Sequence, residues 1–245
     1  MNKLIFYCTL LLCTGILYSC KKESAGDCFK STGDIAIEYR TSATFDTIEA
    51  QDNVNIFLTN DTFFEVKVEA GENLIPLIKT EIQNNKFIVS NDNKCNWVRS
   101  FKVPINVYVT MPTPGALYST GTGNIKSLNT LTNRTMIIKM EGSGDVDLQL
   151  DLPHLLCNLS ASNGNMYVQG NVDVFEVFCI GNTIVYAADL QTDNTFIETY
   201  GTGDMHVKAA NQIGVKINWI GNVYYSGSAV EAYATCTSSG RLIKI

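Results

Sequence analysis

The stretch GTGNIKSLNTLTNRTMIIKMEGSGDVDLQL, residues 121–150, holds two copies of one pattern. Each copy is a corner, Gly121-Thr122-Gly123-Asn124 or Gly142-Ser143-Gly144-Asp145, flanked by short alternating segments. Ile138-Lys139-Met140 alternates on the way into the second corner, and Val146-Asp147-Leu148 on the way out. Working outward, the corner returns as Gly164-Asn165, Gly181-Asn182, Gly203-Asp204 and Gly221-Asn222. Successive copies lie 17 to 22 residues apart, and Gly240-Arg241 is a degenerate last one. Met166-Tyr167-Val168, Met205-His206-Val207 and Val223-Tyr224-Tyr225 follow corners. Phe175-Glu176-Val177, Phe196-Ile197-Glu198 and Val215-Lys216-Ile217 precede them. Alternation with period two means a strand with one buried face. Glycine followed by Asn or Asp is expected where a tight corner needs positive φ.

Two short strands and a corner cannot bury an apolar face alone, but successive copies stacked at ~4.8 Å can. The expected fold is therefore all-β: a single-stranded parallel β-helix, or β-solenoid, whose inward residues form ladders. Seven rungs would make a rod roughly 30 Å long. A sandwich of hairpins would instead show two-residue turns and antiparallel partners at ~8–12 residues. Residues 44–118 are β-rich without a visible repeat. Val54–Leu58 and Phe64–Glu69 alternate around the Asn60-Asp61 turn, Gly71–Ile78 has room for a short helical turn, and Lys86–Ser90 and Val103–Val109 read as strands. This half reads as the non-repetitive starting rungs and cap of the same domain, spanning 44–245.

The N-terminus has the organisation of a secretion signal. Lys3 is followed by an apolar run from Leu4 to Leu17 and by Tyr18-Ser19-Cys20; the run is too short to span a bilayer. Leu17-Tyr18-Ser19-Cys20 resembles a bacterial lipobox, with Tyr18 bulkier than usual. The expected organisation is a leader over 1–19, an acylated Cys20 with a tether over 20–43, and the solenoid domain. Cys8 and Cys13 leave with the leader, so five cysteines besides Cys20 remain and at least one is unpaired. Cys157, Cys179 and Cys236 sit in apolar strands and read as small buried hydrophobes. Cys28 and Cys95, outside the repeats, are the one pair to consider for a disulfide.

A net charge of −6 disfavours nucleic acid as a partner, since it selects basic surfaces. Two histidines and no Cys-x-x-Cys leave no metal spacing and imply no cofactor. The expected partners are the membrane, through the N-terminal lipid, and a glycan or an envelope or surface protein.

Motif order adds a resemblance. The leader is followed by Phe45-Asp46-Thr47-Ile48, Asn53-Val54-Asn55-Ile56, Glu72-Asn73-Leu74-Ile75 and Val107–Pro112. The repeated Gly-Thr-Gly-Asn, Gly-Ser-Gly-Asp and Gly-Thr-Gly-Asp corners come next. Over about residues 44–245 this resembles the head GIN domain of putative auto-transporter adhesins, common in envelope lipoproteins of Bacteroidetes. The resemblance implies a right-handed β-helix-like fold and a lipid-anchored place in the cell envelope, at the outer membrane. It carries over no catalytic residues.

Asn124, Asp145, Asn165, Asn182, Asp204 and Asn222 stack at one corner and read as a structural ladder of side-chain hydrogen bonds. A Ca²⁺ site fits poorly, because the two charged members are three rungs, roughly 14 Å, apart. Glu141, Asp145 and Asp147 are the densest acidic cluster. They motivate the alternative to a non-catalytic adhesion module, a polysaccharide lyase or hydrolase on a β-helix, which needs two carboxylates facing one cleft. His206 points outward between Met205 and Val207, and His154 follows Pro153 in an expected turn; neither has a nucleophile beside it. Aromatics crowd the last five rungs, and Tyr167, Tyr224 and Tyr225 form the expected binding face.

Cys20→Ala should abolish metabolic labelling with fatty acid and release the protein from the membrane fraction. Labelling that survives the substitution would remove the lipid anchor.

Overall fold

In the computed structural model, residues 31–41, 43–94 and 103–245 are described. The leader, Cys20, the tether to residue 30, Cys28 and Cys95 lie outside the described residues.

Alternation in the sequence becomes two interior ladders. Ile125, Val146, Met166, Val185, Met205 and Val223 are register partners in successive parallel strands. Leu117, Ile138, Cys157, Val177, Ile197 and Val215 do the same on the opposite side. All twelve are buried, and fully burying one such aliphatic side chain is worth ~1.5–3 kcal/mol. Each turn of chain thus lays one strand on each side of the core. Two strands, Val146–Ser160 and Met166–Ile180, pass from one side to the other without a break, which joins both sides into one sheet, of 19 strands among the described residues. The architecture is a β-solenoid, as the period implied.

The reason for the corner glycines differs from the expected one. Gly123, Gly144, Gly164, Gly203 and Gly221 do not have positive φ, and Gly181, at 157°, is close to extended. What they supply is space. A Cβ on Gly144 would overlap the carbonyl oxygen of Gly123, and one on Gly123 would overlap that of Val54. Backbones of successive coils meet here too closely for any side chain. Positive φ is used at the opposite corner, by Gly170 (109°) and Gly227 (105°), a region that L-residues with a Cβ avoid.

The N-terminal half supplies both rungs and a cap. Thr47–Ala50 lies between Lys86–Asn91 and Ala116–Ser119. Val54–Asn60 likewise lies between Ile105–Met111 and Ile125–Thr132, so coil order departs from chain order. Ile35–Arg40 pairs antiparallel with Glu65–Gly71, which pairs antiparallel with Ile105–Met111; Ile78–Gln83 pairs antiparallel with Lys86–Asn91. The expected helical turn is a single 3-10 turn, Ile75–Leu77. Leu74 and Ile75 are buried there, and Arg40 donates to the Ile75 carbonyl at 3.2 Å.

The other end is barer. Every residue of the strand Val230–Cys236 is exposed, because it pairs on one side only, with Gln212–Ile217. Cys236 is therefore exposed rather than buried, correcting the expectation for this thiol, whereas Cys157 and Cys179 are buried. Burial pushes the Cys157 thiol well up and that of Cys179 to about 11, which keeps both protonated and unreactive.

If close approach is what selects glycine, Gly144→Ala should cost about 3 kcal/mol in denaturant unfolding, as an overpacked core position does. Gly115→Ala, whose Cβ would meet nothing nearer than 3.4 Å, should shift stability by less than ~1 kcal/mol. Equal, small effects at both positions would refute the argument.

Candidate functional site

Between the inward residues of one side stand their outward neighbours. Lys126, Asp147, Tyr167, Tyr186, His206 and Tyr224 are register partners in one outward row. Parallel pairing repeats the same side-chain direction at each coil, so the rings stack. Tyr167 and Tyr186 are 4.7 Å apart at 4°, Tyr186 and His206 6.0 Å at 4°, and His206 and Tyr224 4.9 Å at 7°. Lys126 pairs with Asp147 at 2.6 Å where the aromatic part begins. Tyr167 and Tyr186 keep 38% and 40% of their surface exposed, presented as ring edges. Desolvation, then the Asp145 carboxylate, hold the Tyr167 phenol above its ordinary pKa.

Two clefts run beside the row. One, about 250 Å³, is lined by Asp147, Tyr167, Val168, Gln169, Tyr186 and Asp189. The next, about 270 Å³, is lined by Tyr186, Ala188, Asp189 and His206. They share Tyr186 and Asp189. Asp189 and Gln169 carry no motif, and only the register that brings them beside the row reveals them.

Of the expected face, Tyr167 and Tyr224 belong to the row and are not adjacent in it. Tyr186 and His206 fill the two rungs between them. Tyr225 does not belong: it pairs with the buried Val207 and is only 9% exposed. Residues adjacent in a strand point to opposite faces, so Tyr224 and Tyr225 cannot share one. Tyr200, Trp219 and Tyr233 are exposed elsewhere. The Tyr200 hydroxyl donates to Glu198 at 3.0 Å, and that bond and charge raise its pKa.

The corner ladder is a chain of side-chain acceptors. The backbone N–H of Asn124 donates to Asn55 Oδ1 (3.0 Å), that of Asp145 to Asn124 Oδ1 (2.9 Å), and that of Asn165 to Asp145 Oδ1 (2.7 Å). Asn222 donates likewise to Asp204 (2.8 Å) and Arg241 to Asn222 (3.0 Å). Asn182 stands outside this chain. Thr183 and Ile184 intervene before its strand, so Ile184 occupies the rung, its carbonyl accepting from Met166 N–H at 3.0 Å. Asn182 instead donates to Asn163 Oδ1 (2.9 Å) and accepts from Thr202 (2.6 Å).

This placement disperses the acidic cluster. Asp145 serves the ladder, Asp147 pairs with Lys126, and Glu141 lies across the corner on the opposite side. Among the described residues, no group of three or more His, Cys, Asp and Glu is placed to hold a metal. His154 lies within the strand Val146–Ser160 rather than in a turn, with Nε2 3.1 Å from Glu176 Oε1. A larger groove, about 320 Å³, lies at the opposite corner, where Asp173, Asp193, Lys208 and Ser228 line it.

A family model described as "Putative auto-transporter adhesin, head GIN domain" matches residues 44–229. Among curated proteins none matches the chain. The crystal structure of a putative adhesin from Bacteroides fragilis NCTC 9343 is similar with a TM-score of 0.78 at 22% identity, covering 86% of this chain and 97% of that one. A putative lipid binding protein from Parabacteroides distasonis ATCC 8503 gives 0.66 at 19% over 88% and 98%. A putative adhesin from the same strain gives 0.62 at 16% over 87% and 98%. At these identities the likeness is one of fold.

If the corner residues act as acceptors rather than as charges, Asp145→Asn should leave thermal stability nearly unchanged. Asp145→Ala orphans the Asn165 N–H and should cost about 1–2 kcal/mol. A loss with Asn as large as with Ala would show that the charge itself matters.

Proposed function

For a chain that belongs to the head GIN domain family of putative auto-transporter adhesins, we propose a non-catalytic role in the bacterial cell envelope. The protein is anchored by lipid on Cys20, at the outer membrane, and binds a glycan or an envelope or surface protein along its outward row. One observation carries this reading: four rings, Tyr167, Tyr186, His206 and Tyr224, stack in line on consecutive coils beside two adjoining clefts. A solenoid face of this kind offers an extended contact surface without a deep pocket. The similar solved structures described as putative adhesins support the same reading.

The competing reading, a polysaccharide lyase or hydrolase, depends on Glu141, Asp145 and Asp147. Glycoside hydrolysis needs one carboxylic acid and one carboxylate facing each other across the scissile bond. Asp147 is instead held by Lys126 at 2.6 Å, and Asp145 accepts a backbone N–H at 2.7 Å. Asp145 and Asp147 thus already have structural work.

The test is capture of envelope and surface components by the full-length protein in detergent, compared with a variant carrying Tyr167→Ala, Tyr186→Ala and Tyr224→Ala together. Circular dichroism confirms that the variant is folded. The triple variant should lose its captured ligand at least tenfold. Undiminished capture would exclude this face, and turnover of any polysaccharide by the wild-type protein would overturn the non-catalytic assignment.

A further inference from the structure

We propose that the row and its two clefts form a site for an uncharged linear polysaccharide, held by hydrogen bonds to ring edges rather than by stacking on ring faces. The proposal rests on the reading of the row as the contact surface and specifies its ligand.

Stacking decides the mode. Carbon atoms in contact sit ≈ 3.5–4.0 Å apart, so a sugar ring between two aromatic rings needs about 7 Å. The separations within the row are 4.7, 6.0 and 4.9 Å, with neighbouring rings within 7° of parallel. The facing surfaces of Tyr167, Tyr186, His206 and Tyr224 are therefore closed by one another. An apolar anchor from a protein partner meets the same obstacle at each of the three gaps between the rings.

The polar groups left exposed lie at the ring edges and beside them. Three phenol hydroxyls and one imidazole edge project along the row. Gln169, Asp147 and Asp189 line the cleft beside them, and Asp189 also lines the next. Phenol and carboxamide groups both donate and accept, while carboxylates only accept. This mixture suits a ligand whose own groups both donate and accept, which is what a chain of sugar hydroxyls provides. The Tyr167 phenol, like any tyrosine near neutral pH, is protonated and so can donate. Repetition of the edges at the strand spacing of ~4.8 Å favours a ligand that also repeats along the solenoid axis.

Charge narrows the class. Asp145, Asp147 and Asp189 lie beside the row; of the cations on this face, Lys126 is already paired with Asp147 at 2.6 Å, and Lys208, two residues beyond His206, lines the groove at the opposite corner. A polymer bearing uronates or sulfates would bring anions against these carboxylates, at a cost that a neutral chain avoids.

Binding of the full-length protein in detergent to neutral β-glucan and mannan oligosaccharides, and to an oligogalacturonate of matching length, tests the proposal. Tyr167→Phe, Tyr186→Phe and Tyr224→Phe are combined in one variant, which keeps the stacked rings and removes the hydroxyls. A neutral oligosaccharide should bind saturably, the oligogalacturonate should not, and the triple Phe variant should weaken binding by about tenfold or more. Asp189→Asn should relieve the exclusion of the oligogalacturonate. Wild-type affinity in the triple Phe variant, with binding lost in the triple Ala variant, would overturn edge recognition while keeping the row as the contact surface. Undiminished binding in both variants would sink the row itself. Preference for the oligogalacturonate, capture of a polypeptide with no neutral glycan bound at millimolar concentration, or no binding at all would each overturn the choice of ligand.

Discussion

Parallel pairing in register, coil upon coil, is the constraint on which the rest of this molecule depends. It places each side chain directly over its counterpart in the next coil, about one strand spacing away. Inside, that turns alternating Val, Ile, Leu and Met into continuous ladders: Val146 meets Met166, and Met166 meets Val185. At the first corner it brings backbone against backbone, so Gly144 cannot be replaced without a collision with the Gly123 carbonyl. Along that corner it puts each Asn or Asp oxygen under the next N–H. On the outer face it stacks tyrosine on tyrosine. Four features of different chemistry have one geometric origin.

The same constraint explains the asymmetry of the ends. A coil inside the stack has partners on both sides, while a terminal coil has one. At the N-terminal end the chain departs from the repeat to supply antiparallel strands, Ile35–Arg40 and Ile78–Gln83, and a 3-10 turn that buries Leu74 and Ile75. The strand Val230–Cys236 has no such cover among the described residues, and its whole length is exposed. Cys236 follows its strand, and Cys157 and Cys179 follow theirs.

Stacking also limits what the surface can do. Rings that pack on one another gain contact and rigidity, and in exchange withdraw their faces from any ligand. The outward row therefore acts through edges, hydroxyls and the neighbouring carboxylates. Regularity that builds the fold here determines the chemistry offered outside it.

Much of this was legible in the linear chain. Spacing of the Gly-Asn/Asp corners and period-two alternation determined a β-solenoid, which residues face inward, and that Tyr167, His206 and Tyr224 face out. These are local properties: a strand's alternation and a repeat's period require no knowledge of what packs against them. The rest needed coil to be set on coil. Glycine at Gly123 and Gly144 looked like a demand for positive φ, but the demand is for space, since the atom in the way belongs to another coil. Asn182 matched the motif and yet left the ladder, because two extra residues shifted its rung onto Ile184. Tyr225 is not equivalent to Tyr224: the alternation that turns Tyr224 out turns Tyr225 in, where it pairs with the buried Val207. The Lys126–Asp147 pair, the clefts around Asp189 and the closed faces of the aromatic row join residues roughly twenty positions apart in the chain. Contacts of that kind are set by register between coils, which the tertiary structure alone decides.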